Sequence, residues 1–238
     1  MKNFIVLLIL LSSAGSYAQV KVVTNYNKYD YFPAHWLRPA VNASAEPISK
    51  RDAKKAMIAI RRFALEYPSS VLDKYLEGVY LVSKFRFYNN DNLRFGATYY
   101  NRRIFIKFKT SGGDHIKFTQ RHLHHEFSSI LMNKNYFPRY KWEKNNLHPY
   151  KSKNEGIDCL ATSGDGRDEH GYLFRKGYLT SYGSCDYEND INIYAEYVFL
   201  FPNKLERIGK KYPRVKRKTK VIKEFYCKIS NKFHFCEG

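Results

Sequence analysis

Carboxylates are scarce in this chain: 22 Asp and Glu stand against 41 Lys and Arg, a formal charge of +19. A surface so one-sided attracts polyanions. Yet the basic residues are spread along the whole chain, and no dedicated nucleic-acid motif accompanies them. The densest run, Lys210 to Lys220, reads as the solvated face of a helix. Long apolar runs are also missing beyond the first residues, and no later segment reaches the ~20 residues needed to span a bilayer. Cysteine is sparse, with four in all and none at zinc-finger spacing. There is no G-x-S-x-G elbow, no phosphate-binding loop and no dinucleotide fingerprint, which excludes the common serine-hydrolase, nucleotide and nicotinamide chemistries. Internal repeats and low-complexity tracts are absent too.

What is present begins with a leader. Lys2 supplies a positive start, Phe4 to Leu11 an apolar run, and Ser16-Tyr17-Ala18 the small residues that precede cleavage. Residues 1–18 therefore read as a signal peptide cut before Gln19. No cysteine follows the cut, so a lipid anchor is not expected; the protein is expected to be periplasmic or secreted, with no membrane span after processing. In an oxidising compartment four cysteines imply two disulfides. Spacing favours Cys227–Cys236 and Cys159–Cys185 among the three possible pairings.

Residues 19–47, rich in Asn, Tyr and Pro, lack a period and read as an extended lead-in. Residues 48–238 are expected to form a single domain. Ser49 with Asp52 resembles a capping box, and Ala56, Met57, Ile60, Phe63 and Ala64 follow at helical spacing up to Glu66. Tyr67-Pro68 ends that helix; a second is expected over 70–79. Two alternating stretches predict strands, Val79 to Phe87 and Arg102 to Lys109, the latter with Ile104, Ile106 and Phe108 on one face. Gly96 suits a turn between them, and Gly112-Gly113 one after the second. A helix over 119–134 follows, then a long glycine-bearing loop over 138–186, and two helices near 190–209 and 215–228. This order argues for an α+β fold, a small antiparallel or mixed sheet flanked by helices.

The helix at 119–134 carries the chemistry. It reads Arg121-His122-Leu123-His124-His125-Glu126-Phe127-Ser128-Ser129. Residues four apart share a helical face, which pairs His122 with Glu126 and His125 with Ser129. Metal-dependent proteases place two histidine ligands at that separation, with Glu just after the first. Here His125-Glu126 are present, and Ser129 stands where the second histidine would be.

In these residues the chain resembles the zinc-binding metallopeptidases of bacterial secreted proteins, relatives of the gluzincins. The resemblance runs through Tyr67-Pro68, the Gly96-Ala97-Thr98-Tyr99 turn, the Arg102–Lys109 strand, the His125-Glu126 helix, Gly177 to Tyr182, and Glu188-Asn189-Asp190-Ile191-Asn192. It implies a metallopeptidase-like fold in which the strand before the histidine helix is the edge that receives a peptide or protein substrate. It also implies that the Glu188 segment supplies a further zinc ligand. Two departures fall on the ligands themselves. Ser129 is a poor zinc ligand, and aligning Ile191 with the family's Phe places Asn189, not Glu188, at the ligand position.

Three accounts follow. A rebuilt zinc site would draw on His122, His125, Glu188 and Asp190, with Glu126 as general base toward metal-bound water and Tyr182 as donor to the oxyanion. Alternatively the fold is kept without catalysis, as a binding protein. In the third, the polar residues of the helix do structural work. A basic exported module that contacts polyanions is a separate class.

Overall fold

Ser49 opens the first long helix as its sequence dictates: its side chain accepts the amide hydrogen of Asp52 at 3.1 Å, satisfying one of the orphan donors of the first turn. The computed structural model describes residues 6–8, 19–25, 27–87, 96–108, 114–150 and 168–236. In chain order the elements are β1 (Val6–Leu8), β2 (Lys21–Val23), α1 (Lys28–Tyr31), a 3-10 turn (Ala34–Leu37), β3 (Ser44–Pro47), α2 (Lys50–Leu65), α3 (Ser69–Tyr75), β4 (Gly78–Arg86), β5 (Ala97–Tyr100), β6 (Arg103–Lys107), α4 (His115–Lys134), α5 (Arg139–Glu143), α6 (Gly171–Lys176), a second 3-10 turn (Tyr182–Ser184), α7 (Tyr187–Leu200), α8 (Pro202–Lys211) and α9 (Pro213–Ile229). The fold is mixed α+β. The chain parses into two compact units, residues 1–130 and 131–238, with the boundary inside α4.

The first unit is built on a mixed sheet of order β1-β2-β4-β6-β5, with β3 paired farther along β4. β4 runs parallel to β2 and β6, whereas β1, β3 and β5 pair antiparallel. Val79, Tyr80, Leu81 and Val82 are buried in succession, as are Ile104, Phe105 and Ile106. Both faces of the central strands are thus covered, as parallel strands require. The alternation that put Ile104 and Ile106 on one face is real, but the opposite face is buried as well. There Phe105 meets Tyr31, Phe32 and Trp36 at ring-centroid distances of 5.6, 5.7 and 5.3 Å.

Those aromatic anchors change the reading of residues 19–47. Tyr31 and Phe32 are 1% and 3% exposed, and burying such rings is worth ~1.5–3 kcal/mol each. The segment therefore contributes β2, β3 and a core face instead of trailing as an extended lead-in. Val6–Leu8, inside the expected leader, pairs with Lys21–Val23 as the outermost strand.

The second unit is helical among the described residues. The region expected as a loop over 138–186 holds α5 and α6. The helix expected near 190–209 is two, α7 and α8, because Pro202 occupies a first-turn position where its missing N–H costs nothing. From Asp190 to Phe199 every residue of α7 is buried, which makes it the central helix of this unit. Gly177 ends α6 in the left-handed region at φ 91°, a conformation that favours glycine. Cys227–Cys236 is disulfide-bonded. Cys159 and Gly112-Gly113 lie outside the described residues.

Candidate functional site

α4 presents its three histidines in three different settings. His124 is fully buried. It stacks on Tyr67 with ring centroids 5.6 Å apart, lies edge-on to Phe63 at 5.2 Å, and has its Nδ1 2.9 Å from the Tyr67 hydroxyl. This is packing: the Tyr67 ring that ends the α2 segment is pinned to α4 by a polar contact inside an apolar layer.

His122 is half-buried, and its Nδ1 is 2.9 Å from the Phe118 carbonyl one turn back. A carbonyl only accepts, so Nδ1 bears the hydrogen and the neutral ring keeps its lone pair on Nε2. That Nε2 faces Gly96, where β5 begins: a Cβ on Gly96 would overlap the imidazole. Glycine at 96 thus serves close approach between the strand and α4, beyond the turn role its sequence predicts. His125 is half-buried, Glu126 is 8% exposed and Ser129 is 1% exposed.

The strand directly before α4 is not the edge. β6 lies between β4 and β5, and the short antiparallel strand β5 ends the sheet order. The last strand of that order is Ala97–Tyr100, because the turn at Asn101 (φ 54°) folds β5 back along β6.

In the second unit the expected ligands of α7 part company. Glu188 is exposed and Asp190 is fully buried; two residues apart on a helix they project ~200° from one another. Tyr182 is half-buried in the 3-10 turn before α7. Asp190 has an occupant already. The Lys218 ammonium and the Tyr150 hydroxyl both donate to its Oδ2, and the Trp142 indole N–H donates to the same oxygen at 2.8 Å. Lys218 also donates to the Gly177 carbonyl at 3.0 Å. Its ammonium lies 4.6 Å from the Trp142 ring centroid, 4.8 Å from Tyr178 and 5.4 Å from Tyr194, within reach of their π faces.

Sequence reading missed this pair. The basic run reads as a solvated face, yet Lys218 within it is fully buried, and Pro213 divides the run between α8 and α9. A signal was available: Val215, Lys218, Ile222 and Phe225 fall at helical spacing, so the lysine interrupts an apolar stripe. Burial drives the pair's electrostatics. Desolvation pushes the Asp190 carboxyl up, against the pull of Lys218, and pushes the Lys218 ammonium down to about 8, against the pull of Asp190. The Tyr150 phenol is held far above its usual range, first by burial and then by the Asp190 charge.

Among the described residues, no group of three or more His, Cys, Asp or Glu side chains is arranged to hold a metal ion. The donor chemistry agrees for Asp190, which meets a protein cation. No family model, curated protein or solved structure matches the chain.

Proposed function

We propose that this chain is an exported, metallopeptidase-like protein that binds an extended peptide segment without hydrolysing it. The observation that carries the reading is Lys218. Its ammonium supplies, from within the fold, the positive charge that the inward carboxylate of α7 needs, and three donors converge on one oxygen of Asp190. Ser129, buried where a second histidine would stand, points the same way.

The peptide preference rests on the edge of the first unit. β5 is a short antiparallel strand at the end of a mixed sheet, and the polar face of α4 approaches it at Gly96. An edge strand recognises an extended partner through main-chain hydrogen bonds. The exported character rests on the leader-like residues 1–18.

Zinc content, peptide cleavage and peptide binding of the purified chain together test the reading. Well under one zinc per chain after zinc is supplied, no cleavage, and binding that survives both chelation and Glu126→Gln are expected. Peptides N-methylated on the main chain should bind at least tenfold more weakly. One zinc per chain that is lost in His125→Ala, with cleavage lost in Glu126→Gln, would overturn it in favour of a rebuilt catalytic site.

A further inference from the structure

We infer that the solvent face of α9 is a binding groove for a linear anionic polysaccharide, a site independent of β5 and of the α4 histidines. Residues 202–229 hold eleven Lys and Arg against two Glu. Several of these cations are engaged locally: Lys218 with Asp190, Lys204 with Glu169, and Arg217 with the Asn145 side chain. Lys216, Lys220 and Lys223 form a row. They recur at i, i+4 and i+7, one face of the helix, and line an open groove with Phe235. Consecutive members are ~4.5–6 Å apart along the helix axis, inside the ~8 Å screening length at physiological salt, so neighbouring fields add. Among the described residues that line the groove, the one carboxylate, Glu224, lies 3.8 Å from Lys220 and faces three lysines.

The floor of the groove is tied to α9 by a disulfide. Cys236 is bonded to Cys227, and the Phe235 ring stacks on Phe233 at 5.4 Å with an interplanar angle of 13°. The Lys223 ammonium sits 5.6 Å from the Phe235 centroid. At its start α9 packs tightly on α8, where a Cβ on Gly209 would lie 3.4 Å from the Lys216 Cα.

A half-exposed ring flanked by a line of ammonium groups fits a sugar polymer: a pyranose C–H face covers the ring while sulfate or carboxylate groups meet the lysines. Single-stranded nucleic acid calls for successive aromatic platforms, and this groove has one ring. A membrane surface calls for apolar side chains that enter the acyl boundary, and the stripe is made of lysines.

The test is equilibrium binding of the full chain to heparin, the probe polysaccharide, across a salt series. The variant Lys216→Gln/Lys220→Gln/Lys223→Gln is compared with Lys54→Gln/Lys55→Gln/Arg61→Gln on α2, which removes the same charge elsewhere. Circular dichroism confirms that both are folded. The groove variant should bind at least tenfold more weakly near 0.15 M salt with a shallower salt dependence, and the α2 variant should stay within threefold of wild type. Phe235→Leu should weaken heparin binding severalfold. Equal losses in both triple variants, or no loss in the groove variant, would overturn the site. Tighter binding to a single-stranded oligonucleotide or to anionic phospholipid vesicles than to heparin would overturn the partner class.

Discussion

Lys218 and Asp190 give the sharpest test at the scale of single residues. Breaking a buried pair from one side strands a charge, which costs ~3–5 kcal/mol. Lys218→Met should therefore lower unfolding free energy by about that much, and adding Asp190→Leu should recover much of it; urea denaturation checks both. The pH dependence has a definite sign. The native pKa of Lys218, about 8, lies below the ordinary 10.5. The unfolded chain thus holds more protons between those values, and this group's contribution to stability rises with pH across that window. The wild-type minus Lys218→Met difference, measured at pH 7.5 and pH 10, should move in that direction. Gly96 offers a second residue-scale test. Because a methyl group there would meet the far end of the half-buried His122 side chain, Gly96→Ala should swing that ring aside at little cost in stability and shift the His122 imidazole resonances more than those of His124.

At the scale of elements, the C-terminal turn over residues 230–236 and α9 stand or fall together. The Cys227–Cys236 bond closes a short loop, for which chain entropy gives a contribution of ~2–3 kcal/mol. It holds Phe233 and Phe235 against Tyr226. Cys227→Ser/Cys236→Ser should lower thermal stability and, by freeing Phe235 from the groove, weaken heparin binding more than it perturbs helicity. Element reading from sequence was most secure where local signals agree. Ser49, the apolar spacing of α2 and Tyr67-Pro68 bound one helix within a residue or two. It was least secure where a proline acts as a helix start: Pro202 and Pro213 each open a new helix, so the downstream helices were legible in content but not in division.

For the whole molecule, the proposed export sets an expected N-terminus. Among the described residues β1 is the outermost strand of the sheet order and pairs with β2 alone, so its loss leaves the β2-β4-β6-β5 pairing intact. Intact-mass analysis of protein exported by its host should find an N-terminus at Gln19, and a chain that retains Met1 would remove the leader reading. No described helix is long and apolar enough to cross a membrane.

The sequence alone determined what depends on near neighbours: the α+β order of elements, the cap at Ser49, the Cys227–Cys236 bond and the crowd of polar residues on α4. Those follow from propensity, periodicity and short separations, which a linear string records. Which of those polar residues face one another was decided only by tertiary packing. His124 went to Tyr67, 57 residues away, and Asp190 to Lys218, 28 residues away. Burial gave both contacts their meaning, because a charge or a ring nitrogen removed from water must find a partner, and only the folded chain says which partner is within reach.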